Sequence, residues 1–205
     1  MSSLFGGCFG RSSHKASSGQ LDSEDPELLG PTGSRPIDAV NPAKCVFCNV
    51  DSSRFRVVLE DSDYICFSDR SPAAAIHLLV IPRRHIANVQ SLTRSDAEIV
   101  RQMQVLGNAA LDIVSGQEPT PQQSDTSIKT TPERRFGFHI PPFRSVDHLH
   151  LHCLQLPFRS TLRSLKYRVA DPPSREYHKG WSWFAEWKQT CAILQDGGRV
   201  KVGKC

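Results

Sequence analysis

Two periodicities organise the middle of the chain. Residues 55–60 (Phe-Arg-Val-Val-Leu-Glu) and 63–68 (Asp-Tyr-Ile-Cys-Phe-Ser) read as strands, with Asp61 and Ser62 supplying a turn between them. They predict a hairpin. The run Ile76-His77-Leu78-Leu79-Val80-Ile81 is apolar almost throughout and stops at Pro82, as a buried strand does. The period then lengthens. Ile99, Met103, Leu106, Ala110 and Ile113 recur at three- and four-residue steps, one face of a helix. Thr93, with Asp96 three residues on, opens that helix, and Gly116 ends it. Residues 135–140 and 147–155 read as an antiparallel pair joined by a tight connection at 141–145. A last helix is predicted from about Ser182 to Leu194, with Trp183, Trp187 and Leu194 on one face.

Outside these segments the patterning fades. Residues 1–42 are rich in Ser, Gly, Pro and charge and read as a disordered tail. Residues 117–134 read as a flexible insertion, and 196–205 as a loose tail. What remains is one domain, 43–195. Its size suits 205 residues, and a 39% hydrophobic content supports a real core. The net charge of +4 suits an anionic ligand and is too small to argue for nucleic acid by itself. No apolar run is long enough for a membrane span, and the first residues lack a signal-peptide core. A cytoplasmic or nuclear protein with no membrane partner is therefore expected. Seven cysteines without an export signal point to reduced thiols rather than a disulfide framework.

The chemistry concentrates at His148-Leu149-His150-Leu151-His152. In a strand, alternate side chains share a face. Three imidazoles therefore line one side, while Leu149, Leu151 and Cys153 pack on the other. A neutral imidazole attacks phosphorus without a separate base. His150, flanked on both sides, is the expected nucleophile; His152 is placed to steady a phosphate oxygen, and Ser145 to donate to the phosphate or the leaving group. Cys45-x-x-Cys48 has a common zinc spacing. With His85 and His148 it would make a closed structural zinc site; two reduced, buried thiols fit the pair equally well.

These residues resemble a known family. His148-Leu-His-Leu-His-Cys-Leu is similar to the histidine triad signature His-φ-His-φ-His-φ-φ. His77-Leu-Leu-Val-Ile-Pro-Arg-Arg-His85 resembles that family's second signature strand, Cys45-Val-Phe-Cys48 its entry segment, and Phe67-Ser-Asp-Arg-Ser-Pro72 its ribose loop. The approach Gly137-Phe-His-Ile-Pro-Pro-Phe-Arg-Ser145 departs from the Asn- and Gly-rich form of the standard members. It looks like that of the divergent third type of histidine triad nucleotide-binding protein and of aprataxin triad domains.

The resemblance implies an α+β fold with a five-stranded antiparallel sheet carrying packed helices, usually as a homodimer. It implies hydrolysis of a purine nucleotide such as an AMP conjugate through a nucleotidyl-histidine intermediate, with no cofactor needed for catalysis. His150 matches the nucleophile, His152, His148 and His77 the supporting histidines, and Ser145 the phosphate-side serine. Asp69 matches the ribose-binding acid, and Phe47, Val50, Phe67 and Leu79 the base pocket. Two alternatives stay open. One is an aprataxin-like deadenylase of nucleic-acid ends, against which residues after 160 offer too few Cys and His for a zinc finger. The other is a non-catalytic nucleotide-binding scaffold.

Overall fold

The structure, a computed structural model, describes residues 44–116 and 132–205. The N-terminal tail and almost all of the 117–134 insertion lie outside the described residues. In chain order the elements are β1 (Val57–Glu60), β2 (Tyr64–Ser68), β3 (Ala74–Pro82), α1 (Ala97–Ser115), β4 (Arg134–His139), β5 (Leu151–Phe158), α2 (Thr161–Leu165), β6 (Phe184–Glu186) and α3 (Trp187–Gln195). The fold is α+β. One antiparallel sheet runs in the order β1-β2-β3-β5-β4-β6, six strands where five were expected.

The sheet has two distinct faces. Leu78, Val80, Leu151 and Cys153 point to one side and share a buried cluster with Val100, Met103, Ala110 and Leu111 of α1. His77, Leu79 and His152 occupy the opposite side, with Leu79 and Gly137 as the direct cross-strand neighbours of His152. Alternation thus sends Leu78, Val80, Leu151 and Cys153 under the helix and His77 and His152 to the opposite face.

Helix α1 buries Ala97, Val100, Met103, Gly107, Ala110 and Leu111, whereas Ile113, expected on the buried face, is 57% exposed. Close approach explains the rotation. A Cβ on Gly107 would lie 2.4 Å from the Cys153 sulfur, so the face that meets the sheet runs through Gly107, with Met103 and Leu111 buried on the same helix, and leaves Ile113 outside. The predicted start is correct in kind: the Thr93 N–H donates to Asp96 Oδ2 at 2.9 Å, although Arg94–Asp96 forms a 3₁₀ turn before the α-helix begins.

The expected 182–194 helix divides in two. Residues Phe184–Glu186 form β6, which pairs with β4, and the helix starts at Trp187. The Glu186 carboxylate caps it by accepting from the Lys188 and Gln189 N–H groups. Trp183 and Phe184 favour an extended, half-buried surface. The last ten residues are seated rather than loose: Val200 is buried, and Lys179 and Cys205 exchange two main-chain hydrogen bonds. The buried Lys179 ammonium donates to the carbonyls of Gly180, Ser182, Lys201 and Val202 at 2.8–3.2 Å, so its charge is not left unpaired. Among the described residues no helix is long and apolar enough to cross a membrane.

Candidate active site

The strand carrying the histidines begins later than predicted. Regular pairing starts at Leu151, so His148 and His150 lie on the segment just before the strand and only His152 is within β5. All three are buried nonetheless. The Nδ1–H of His150 donates to the His148 carbonyl at 2.6 Å, which leaves Nε2 with its lone pair free. Burial holds the His150 imidazolium below the usual histidine range.

His152 belongs to a chain of hydrogen bonds whose tautomers follow from its ends. The Ala73 N–H donates to His77 Nδ1 at 3.2 Å, so the His77 proton sits on Nε2. That proton faces His152 Nδ1 at 2.9 Å. His152 Nε2–H then faces His139 Nδ1 at 2.9 Å, and His139 Nε2–H donates to the Lys166 carbonyl at 2.9 Å. Every nitrogen has one partner of the right kind only if all three rings are neutral. Burial supports this, pushing His77 and His139 each down to about 4 and His152 well below the ordinary value. Tyr167 packs edge-on against His77 and His152, and Phe184 against His139.

The residues matched to a base pocket come together. Phe47, Phe67 and Leu79 share a buried cluster with Ile65 and Ile81, and Val50 packs on it. The Phe47 ring lies 5.6 Å from that of His150. Asp69 reaches to 3.5 Å from His77 Nε2 and accepts the Ser71 N–H at 2.7 Å. Arg163 of α2 fixes the same loop, donating to the Ser71 and Pro72 carbonyls at 3.2 and 3.0 Å. Ser145 is exposed and has no hydrogen bond among the described residues.

Cys45, Cys48, His85 and His148 also converge, their ligand atoms all within 4.8 Å of one another. The S···N separations are 3.5 Å for Cys45–His148, 3.2 Å for Cys48–His85 and 3.6 Å for Cys48–His148. Tetrahedral zinc with bonds of about 2.3 Å to sulfur and 2.0–2.1 Å to nitrogen sets S···N at roughly 3.5 Å. His148 Nε2–H donates to the Pro82 carbonyl at 2.8 Å, which turns the Nδ1 lone pair toward the thiols. The set fits a metal. Without one, burial and the neighbouring Cys45 push the Cys48 thiol up to about 11. Asp69, His77 and His152 are also close together. Metal binding through His77 Nε2 is opposed there, because Nδ1 already accepts a main-chain N–H and Nε2 must carry the proton.

A family model described as "Scavenger mRNA decapping enzyme C-term binding" matches residues 44–167. The bifunctional adenosine 5'-phosphosulfate phosphorylase/adenylylsulfatase HINT4 of Arabidopsis thaliana is 42% identical over 137 residues, 65% of this chain and 84% of that one. The adenosine 5'-monophosphoramidase HINT3 of Danio rerio is 34% identical over 164 residues, 78% of this chain and 88% of that one. This chain belongs to the histidine triad superfamily. Aprataxin of Danio rerio is a more distant relative, 25% identical over 150 residues, 71% of this chain and 38% of its own.

Within this triad protein the structure brings His77, His152 and Asp69 together, with Phe47 beside His150, while Ser145 stays exposed and makes no hydrogen bond among the described residues. It adds His139, which the sequence reading passed over. His139 stands two positions beyond Gly137, the cross-strand partner of His152, and so shares its face. That alternation was the available signal.

Proposed function

We propose that the protein is a nucleotide hydrolase of the adenosine 5'-monophosphoramidase type, which separates a nucleoside monophosphate from its leaving group through a nucleotidyl-histidine on His150. The observation that carries this reading is the 2.6 Å bond from His150 Nδ1–H to the His148 carbonyl. It fixes the tautomer that exposes Nε2 as a nucleophile. It also leaves a carbonyl oxygen beside the positive charge that the ring acquires when Nε2 bonds to phosphorus. As that bond forms, the bond from phosphorus to the leaving group breaks, a departing amine taking its proton from solvent; water then attacks phosphorus, the His150 N–P electrons return to the ring, and the surplus proton of the water passes to solvent. The Phe47–Phe67–Leu79 cluster would hold the base, and Asp69 the ribose hydroxyls. Two relatives, named for adenosine phosphosulfate and phosphoramidate chemistry, support this substrate class.

Zinc at Cys45, Cys48, His85 and His148 would tie the entry segment to the start of the His row. When bound it supplies a closed structural crosslink, and no catalytic step passes through it. A homodimer belongs to the same proposal, with β1 and β6 as the edge strands of the sheet.

The test is turnover of adenosine 5'-phosphoramidate, with mass spectrometry of the adenylyl adduct during turnover. His150→Ala should abolish both. Undiminished turnover in that variant overturns the mechanism. Tight AMP binding with no turnover of any phosphoramidate would leave a binding protein instead. Removal of AMP from a nicked 5′ end in preference to small conjugates would favour the aprataxin-like alternative.

A further inference from the structure

The approach to the histidines carries a cation that the triad chemistry above does not use. Arg144 precedes Ser145 and lines a small cavity together with His139, His150, Asn88 and Val146. The cavity holds about 10 Å³, room for roughly one water and hence for one oxygen of an oxyanion. The Arg144 side chain is 22% exposed, so it is mostly withdrawn from solvent.

Asp147 fixes its orientation. Arg144 Nε donates to Asp147 Oδ1 at 2.9 Å, and Nη2 donates to Oδ2. Asn88 Nδ2 holds Asp147 Oδ1 from the other side at 3.4 Å. A guanidinium has five N–H donors. Two are spent on Asp147; the remaining three have no partner among the described residues. A planar fork held by a carboxylate, with donors left over beside a nucleophile, is suited to receive a second oxyanion.

The other groups around His150 favour an anion for a separate reason. The Nε2–H protons of His77, His152 and His139 are each committed within their chain, and the rings are neutral. None is an imidazolium ready to protonate a departing amine. A group that leaves as an anion needs no such proton.

We propose, building on the hydrolase reading, that Arg144 determines leaving-group specificity: it receives leaving groups that carry negative charge, such as an oxyanion joined to the nucleotide phosphate, and favours them over neutral amines. In the first step the His150 Nε2 lone pair forms the N–P bond. The bond from phosphorus to the leaving oxygen breaks, its electron pair departs with that oxygen, and Arg144 N–H groups donate to the anion. In the second step water forms the new P–O bond, the N–P electrons return to the ring, and one proton passes to solvent.

The experiment compares adenosine 5'-phosphosulfate, whose leaving group is sulfate, with adenosine 5'-phosphoramidate, using the full chain and its Arg144→Gln and Arg144→Lys variants. Melting temperatures confirm that both variants fold. Arg144→Gln should lose at least tenfold more kcat/KM on the phosphosulfate than on the phosphoramidate, with Arg144→Lys restoring part of the difference. Equal losses on the two substrates would show that Arg144 serves the common phosphate, and no loss on either would remove it from the site; each outcome overturns the proposal. Turnover of neither substrate by the unaltered chain would instead remove the hydrolase reading on which the proposal stands.

Discussion

The Nδ1–H of His150 donates to the main-chain carbonyl of His148, two residues earlier, at 2.6 Å. The nucleophile is thus oriented by its own backbone and needs no acidic side chain as partner. Its protonation follows from burial, which disfavours the charged ring and lowers its pKa. The nucleophile must be neutral, so activity is present above that lowered pKa and lost below it. The acid limb of kcat/KM, which reports the free enzyme, should therefore fall below the ordinary imidazole value of about 6.5. A limb at or above neutral pH would mean that His150 is not the desolvated ring described here.

His139 yields a second expectation. Its Nδ1 accepts the proton of His152 Nε2, and its own Nε2–H is held by Lys166. His139→Phe keeps an aromatic ring against Tyr167 and Phe184 but deletes the acceptor, leaving a buried N–H unpaired. His152 then shifts or rotates, and a displacement of about 1 Å in such a site costs up to about 100-fold in rate. His139→Asn, whose side-chain oxygen can stand near the Nδ1 position, should retain more activity than the Phe variant. Steady-state kinetics on adenosine 5'-phosphoramidate decides it; equal activities in the two variants would mean that the acceptor is irrelevant.

His139 also shows where sequence reading reaches its limit. The triad announces itself because three rings recur at strict two-residue spacing. The zinc-type set is legible because Cys45 and Cys48 have a characteristic separation. His139 is a single ring in a strand, and only the pairing of Gly137 with His152 puts it in the site. The same limit explains α1 and β6. Hydropathy placed Met103 and Ala110 correctly but also selected Ile113, because it gives no weight to Gly107, whose missing Cβ lets the helix approach Cys153. It also extended a helix across Phe184–Glu186, because no local pattern reveals that this segment meets the open edge of β4. Local periodicity specifies elements; long-range pairing decides which faces they present.

The neutral histidine chain makes stability depend on pH. Burial depresses His77 and His139 to about 4 in the folded protein, against about 6.5 for an unfolded histidine. Above about 6.5 neither state binds the proton and there is no dependence. Between that value and about 4 the unfolded chain takes up protons that the native chain refuses. Stability therefore declines as pH falls through this window, by up to about 1.4 kcal/mol per pH unit for each such ring. Thermal melting across the window should show a steepening loss, made shallower by His77→Gln relative to its own neutral-pH value. A flat profile would contradict the neutral chain.

The last expectation concerns Gly137, where β4 lies between the triad strand and β6. A Cβ there would sit 2.4 Å from the Ala185 carbonyl oxygen and 2.5 Å from the Phe184 ring. Neither neighbour yields cheaply: one is main chain, and the other is a fully buried ring that packs against His139 and Tyr167. Gly137→Ala must therefore push β6 outward, at a cost of about 1–3 kcal/mol, or several degrees in melting temperature. Because Gly137 is the direct partner of His152, the same displacement should also lower kcat. Gly116→Ala is the control. Gly116 ends α1 at φ +66° with nothing within 4 Å of an added Cβ, so its replacement strains the backbone without touching the site. Comparable melting losses with kcat reduced only in Gly137→Ala would show that β6 holds the triad face in position. Unchanged kcat in Gly137→Ala would show instead that β6 closes the sheet edge and contributes nothing to the geometry of the histidines.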